Sequence, residues 1–352
     1  MSSRCRPLRL GTRGSPLALA QAGRLARQLR EQCGQPAVLV TVATPGDMSA
    51  APVERLGTTG VFTTTLREAL LRGAVDLVVH SCKDLPTAPV PGLQVAAFPA
   101  REDPRDALVW PGRTSLGALP PGTRIGTGSP RRAAQLRATG LQLQIEPVRG
   151  NVGTRLRKLA DGQVDALVLA MAGLSRLGLL DADTAPLDPS LLMPAPAQGV
   201  LAVECRADDP ATAAQLKTLD HPPTRAAATA ERGFLAALGA GCTTPAGALA
   251  ELAAEPGTEP ALRLSGLIAA PDGSAVIRAQ TTGAPATPTR SAAGSLTSCS
   301  STGAPRSSIT PRTGPPIRGH IRTPVTAACP AIPCDALNSL CPPRPRRTAT
   351  DR

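Results

Sequence analysis

The chain has 352 residues, enough for two or three domains with a core each, and at 42% hydrophobic most of it should fold. The formal charge of +12 is uneven: nine arginines face two aspartates from Thr281 onward, so the first 280 residues carry only +5, ordinary for a globular enzyme. With 1% aromatic residues and no tyrosine, the stacking platforms of single-strand nucleic-acid binders are excluded.

In chain order, the opening MSSRCRPLRLGTRG lacks the apolar segment of a signal peptide, and no stretch approaches the length of a membrane span. A soluble cytoplasmic protein is expected, with no membrane partner. The nine cysteines suit free thiols in a reducing compartment, since those before residue 280 show no paired spacing. Arg9 to Pro16, RLGTRGSP, reads as a strand-like entry, a Gly-Thr turn and a Ser-Pro helix start, followed by an Ala/Leu/Gln/Arg helix. GAVDLVV at 73–79 reads as a helix-ending glycine followed by a buried strand.

VVHSCKDLP at 78–86 then sets Lys83 and Asp84 directly after that strand. A carboxylate at a strand end facing a cleft suits proton transfer or stabilisation of a cation; the plain alternative is a surface pair capping a turn. His80 reads as a satisfied core residue rather than a base. REDPRD, from Arg101, reads as a linker.

The first pattern then repeats. RIGTGSP at 124–130 echoes RLGTRGSP, and GQVDALV at 162–168 echoes GAVDLVV. Two similar doubly wound α/β domains follow, with the apolar runs DLVVH, DALVLA and VLAVEC fitting parallel sheets covered on both faces. Ligands in such sheets sit at the strand-to-helix turns, here the rim of an interdomain cleft. Arg13, Arg131, Arg132, Arg149, Arg155 and Arg176 all fall at turns or helix starts. Two adjacent cations at a positive helix end, Arg131 and Arg132, call for an anion, and arginine binds carboxylate or phosphate through paired hydrogen bonds. A solvated helix face is the alternative, although the glycines of RGNVGTR (149–155) favour a backbone anion site.

MPAPAQG at 193–199 reads as a second crossing, after which VLAVECR returns to the first domain. A smaller α+β unit starts near His221: a helix ending at Gly239 and Gly241, a loop carrying Cys242, and a hairpin, LRLSGLIAAPDGSAVIRA, turning at Pro-Asp-Gly. Cys242 lies past a helix C-terminus, which disfavours the thiolate. The expected domains are 1–100 with 200–218, 101–199, and 219–284. Residues 285–352, rich in Pro, Ser, Thr and Arg, read as a disordered, atypical tail with no recognised zinc spacing, and no metal site is expected.

The stretches RLGTRGSPLALAQ, VDLVVHSCKDLPT, REDPRDAL, IGTGSPRRAAQL, VRGNVGTRLRKL, DALVLAMAGLSRLGL, PAPAQGVLAVECR and AERGFLAALGAGCTTPAG together resemble the porphobilinogen deaminase (hydroxymethylbilane synthase) family, in order from about residue 8 to 280. The resemblance implies two domains of the type II periplasmic-binding-protein fold and a third domain whose loop cysteine, here Cys242, carries a dipyrromethane by a thioether. It implies head-to-tail polymerisation of four porphobilinogen molecules with loss of ammonia, then hydrolysis to the linear tetrapyrrole, as in heme biosynthesis. It further implies Asp84 as the catalytic residue, stabilising the cationic azafulvene left by ammonia. Cofactor contacts are implied for Lys83, Asp84, Ser129, Arg131, Arg132 and Arg155, and substrate contacts for Arg13, Ser15, Phe62, Arg149, Arg155 and Arg176. An azafulvene would alkylate Cys242 without any lowering of its pKa. A monomer with a small-molecule substrate and no nucleic-acid partner is expected; the rival is a non-catalytic two-domain protein that binds a small carboxylate. Two departures stand out: Thr59 replaces a lysine in the family's mobile loop, here GTTGVFTTTLRE with Arg55 and Phe62 fitting, and the tail lacks the family's final helical segment. Weaker loop closure and an exposed third-domain sheet are expected.

Overall fold

Strand β1 (Leu8–Thr12) and helix α1 (Pro16–Cys33) open a pattern that the chain uses twice. The structure is a computed structural model, which describes residues 6–43, 61–112, 115–239, 244–253 and 261–284. Ser15 caps α1 by accepting from the Ala18 amide at 3.3 Å, Pro16 supplies the first turn, and Gly34 at φ 62° ends the helix. The second copy is strand β6 (Arg124–Thr127) with Ser129 and Pro130 at the start of helix α3 (Pro130–Arg137). Helix α2 (Val61–Leu71) lies between, and the third helix takes its number from chain order. The glycine before each turn is dictated by packing. A Cβ on Gly11 would lie 2.9 Å from Val78, and one on Gly126 would lie 2.6 Å from Val148.

Strand β2 is Ala37–Thr41, β3 is Leu77–Ser81 and β4 is Leu93–Ala97. Strand β5 is Asp106–Val109, β7 is Gln144–Pro147 and β8 is Ala166–Ala170. Strand β9 is Thr184–Pro186 and β10 is Leu201–Arg206. The two sheets run β2-β1-β3-β10-β4 and β7-β6-β8-β5-β9. In each, the first three strands are parallel, and the fourth, which follows a crossing between sheets, is antiparallel to both neighbours. The all-parallel expectation is thereby corrected, since an apolar run reports burial on both faces while the connection decides direction. VLAVEC is the antiparallel β10, and DALVLA, in β8, is parallel to β6 but antiparallel to β5. The expected class of two similar α/β units with a smaller third one stands.

One device recurs in both sheets. Asp76 accepts the Arg9 amide at 2.8 Å and its guanidinium at 3.2 and 2.7 Å, and Asp165 does the same for Arg124 at 2.8, 3.2 and 2.7 Å. The Val-Asp of each buried-strand motif thus clamps the arginine that opens the neighbouring strand. A bidentate arginine–carboxylate pair holds both register and orientation.

Helix α4 (Val152–Ala160) and helix α5 (Met171–Leu177) complete the second unit, and α6 (Pro210–Lys217) packs on the first. Helix α7 (Pro222–Ala237) leads to an antiparallel sheet of β11 (Ala246–Ala253), β12 (Ala261–Ala269) and β13 (Val276–Gly283). The β12–β13 hairpin turns at Pro271-Asp272-Gly273, with Gly273 at φ 79°. Phe234 of α7 lies where any side chain at Gly266 would have to go, 2.9 Å from a Cβ there. Strand β13 is an exposed edge, with Val276 and Ile277 at 37% and 39% exposure. Among the described residues no helix is long and apolar enough to cross a membrane, and no group of three His, Cys, Asp or Glu could hold a metal. Residues 285–352 and the loop with Cys242 lie outside the described residues, as do Arg55, Thr59 and the Phe62 side chain.

Candidate active site

Parallel β1 and β3 bring their C-terminal ends side by side, so the Arg13-Ser15 turn meets the 3₁₀ turn Cys82–Asp84. Between them is a concavity lined by Arg13, Ser15, Gln21, Thr63, Ser81 and Asp84. Beneath it Glu204 accepts from Arg67 at 2.9 and 2.7 Å and pairs with His80 Nε2 at 3.0 Å. His80 is therefore a satisfied core residue, as expected. Burial pushes the Glu204 carboxyl up, but hydrogen bonds from His80 and Arg67 outweigh it and hold the group at about 2. Asp84 itself is exposed, because it ends the 3₁₀ turn at the cleft surface.

Lys83 points inward. Its Nζ donates to Gln198 Oε1 at 3.2 Å. Burial lowers its ammonium to about 8; Arg132 and Arg131 push the same way, while Asp84 and Asp106 oppose. Through Gln198 and Asp106, Lys83 of the first sheet is linked to Arg131 and Arg132 of the second.

The anion that the paired arginines meet is internal. Arg131 and Arg132 are 4% and 5% exposed, and both bind Asp106, which is fully buried, through ion pairs of 2.8 and 2.7 Å. Arg132 also donates to Val168 O at 3.0 Å, and Arg131 donates to Met193 O. The expectation of an external anion at this helix start is corrected to that extent. Two guanidiniums around one carboxylate still leave one positive charge over, and Arg131 Nε lacks a protein hydrogen-bond partner. Ser129 accepts from the Arg132 amide at 3.5 Å, as Ser15 does from its own helix.

The excess charge continues into α4. Arg155 donates Nε to Gly150 O at 2.9 Å, and burial lowers its guanidinium to about 10, helped by Arg132 and Arg149 and opposed by Asp84. Arg155 therefore sits among like charges with Asp84 as the opposing one. Arg176 has a different neighbourhood from the one expected. It donates to Gly199 O of the second crossing at 2.6 Å, and its charged neighbours are Glu102 of the first crossing and Arg24 of α1. Burial lowers it to about 10. It lies in the last turn of α5, and that helix end meets the second crossing.

Three residues that hold this arrangement carried no sequence signal. Asp106, Gln198 and Glu231 each join segments far apart in the chain. Glu231 of α7 takes Arg101 at 2.7 and 3.1 Å, the Ala197 amide at 2.5 Å and the Ala250 amide at 2.7 Å, tying the third unit to both crossings. Asp106 at the start of an apolar strand was a visible oddity, but nothing named its partners. The described thiols Cys82 and Cys205 are pushed up to about 12 and about 11, chiefly by burial, which leaves them unreactive.

Residues 8–214 match the family described as porphobilinogen deaminase, dipyromethane cofactor binding domain, and residues 226–293 match porphobilinogen deaminase, C-terminal domain. The chain belongs to the porphobilinogen deaminase family. Its relatives of that name include proteins of Nocardia farcinica, 54% identical over 283 residues, and Mycobacterium avium, 55% identical over 282. These alignments span 79% of this chain in both cases, and 81% and 89% of the relatives. The solved methionine-binding protein MetQ is similar at a TM-score of 0.39 with 15% identity, over 60% of this chain and 87% of that one. The family is one of transferases in porphyrin biosynthesis, so the rival reading as a non-catalytic binding protein is set aside.

The porphobilinogen deaminase cofactor, a dipyrromethane, can be tested against the described residues. A dipyrromethane with acetate and propionate arms brings several carboxylates together. Lys83, Arg132, Arg149 and Arg155 form a cationic group in which Arg132 and Arg149 crowd Arg155 opposite Asp84, with Asp106 paired to Arg132. Such a set is costly by itself and is relieved by a polyanion. The residues fit the group.

Proposed function

We propose that this porphobilinogen deaminase joins four porphobilinogen molecules head to tail on a dipyrromethane attached to Cys242, with Asp84 as its catalytic residue. The observation carrying this reading is the like-charge crowding of Arg155 by Arg132 and Arg149 opposite Asp84. When bound, the dipyrromethane would supply the pyrrole carbon to which the first monomer is added, each later monomer joining the ring before it. Lys83, Ser129, Arg131, Arg132 and Arg155 hold its carboxylates from the inner side of the cleft. Arg13, Ser15, Phe62, Arg149 and the second role of Arg155 belong to the incoming substrate. Arg176 is assigned to the hinge between the crossings, where it fixes the angle at which the two halves present their cations.

Asp84 has two tasks in this scheme. Loss of ammonia from the aminomethyl group of porphobilinogen leaves a cation on the substrate, which the Asp84 carboxylate stabilises. The ring carbon that forms the new bond would then give up its proton, and Asp84, at the cleft surface, is the acceptor assigned to it. Because Asp84 is exposed in the described structure, its strength depends on the bound rings excluding water. The domains are assigned to 1–100 with 200–218, 101–199 and 219–284, in keeping with which strands share a sheet. A cytoplasmic monomer belongs to the same reading.

Intact mass of the purified chain tests it. The expected spectrum carries the added mass of a dipyrromethane, and Cys242→Ser loses it. A Cys242→Ser protein with the adduct still present would refute the attachment, and a wild-type chain of bare sequence mass would refute the cofactor.

A further inference from the structure

Gln198 lies in the second crossing, is 1% exposed, and uses both ends of its side chain. Nε2 donates to Asp106 Oδ1 and to Pro104 O, each at 2.8 Å, and Oε1 accepts from Lys83 Nζ at 3.2 Å. The chemistry of the partners decides which way the amide faces. A carboxylate and a carbonyl only accept, so the NH₂ must turn to them, and the oxygen is left for the ammonium. The crossing backbone is held as well: Arg101 donates Nε to Gln198 O at 2.9 Å. One hydrogen-bonded path therefore runs from Lys83, after β3 of the first sheet, through Gln198 to Asp106 and Arg132 of the second.

We propose that Gln198 is a positioning residue that holds the Lys83 ammonium in the cleft, in fixed register with the Arg131–Arg132 pair. A half-buried amine keeps its charge more readily when a hydrogen-bond acceptor faces it. The groups facing Lys83 are Asp84 beside it, Arg131 and Arg132 from α3, and Asp106 from β5. Both arginines disfavour its charge, so the neutral oxygen of Gln198 is the contact that opposes them without adding another carboxylate next to Asp106. Separating the two sheets would have to stretch this link, so the cation of one half follows the cations of the other. The proposal rests on the role given above to Lys83, but its test reads the lysine directly.

The chain contains three lysines, Lys83, Lys158 and Lys217. Lysine labelled with ¹³C at Cε in the full-length protein gives three resolvable NMR titrations, assigned by Lys→Arg variants. Preparations are matched for adduct content by intact mass. The expected result is a Lys83 titration displaced downward from the other two. In Gln198→Met, of similar size but without the acceptor, it falls further by about one unit, while Lys158 and Lys217 stay in place. A Gln198→Met curve for Lys83 superposing on wild type would overturn the proposal. If Gln198→Met does not fold, Gln198→Asn withdraws the oxygen by one methylene and is read the same way. Lys83 titrating with the other two lysines in the wild-type protein would overturn it without any variant. Absence of the mass adduct would instead sink the deaminase reading and leave these titrations interpretable.

Discussion

Replacing Asp106 by asparagine removes one negative charge and almost no volume from a site with no exposure. In the wild-type chain Asp106 binds Arg131 at 2.8 Å and Arg132 at 2.7 Å and takes Gln198 Nε2 at 2.8 Å. Asparagine leaves two buried guanidiniums without a counter-charge and turns one NH₂ toward N–H donors. Removing one member of a buried ion pair costs about 3–5 kcal/mol. With a urea dependence of about 3 kcal/mol per molar, the unfolding midpoint should fall by roughly 1–1.7 M. Asp106→Asn/Arg131→Met removes one of the two orphaned cations and should recover part of that loss. The pH dependence gives a second check. Burial raises the Asp106 carboxyl, but Arg131 and then Arg132 outweigh it and hold the group far below the usual range. A depressed folded-state pKa means this stabilisation is complete above the ordinary carboxylate range, near pH 4, and is lost as pH falls through the folded value. The asparagine variant should lose that part of the acid dependence. A midpoint within about 0.3 M of wild type at neutral pH would refute the assignment of Asp106 as the charge centre.

Two further substitutions test the surroundings. Glu204→Gln removes the counter-charge of buried Arg67 beneath the Arg13–Asp84 concavity and should cost about 3 kcal/mol or more in urea unfolding. Its acid linkage runs from about pH 4.5 down to about 2, where the wild type loses stability and the variant should not. Gly199→Ala places a Cβ against Glu102 O at a residue with φ 86°. Strain at φ and backbone overlap together should cost about 3 kcal/mol or more, read as a lower midpoint and a lower yield of folded protein; an unchanged midpoint would show that the crossing can shift freely.

Much of the frame was legible along the chain because it rests on local chemistry. Ser15-Pro16 and Ser129-Pro130 start helices through the same capping bond, and Gly73 and Gly273 sit where a left-handed residue is needed. The repeat of RLGTRGSP in RIGTGSP is a repeat of structure, down to the Arg9–Asp76 and Arg124–Asp165 clamps. Strand direction was not legible. VLAVECR is as apolar as a central parallel strand, yet runs antiparallel because the crossing delivers it to the sheet from the other side. Arg131 and Arg132 were visible as a charged pair, but an arginine waiting for substrate and one bound to a buried aspartate have the same local sequence.

Taken alone, the amino-acid order determined the family, the duplicated α/β plan and the candidates for chemistry, including Asp84, Lys83 and Cys242. These depend on side-chain type, caps and periodicity, all of which act over a few residues. The folded chain decided which charges neutralise one another: Asp106 takes Arg131 and Arg132, Glu204 takes Arg67, Glu231 takes Arg101, and Arg155 is left facing Asp84 among like charges. Coulomb energy and burial depend on distance through space, which the linear order does not contain.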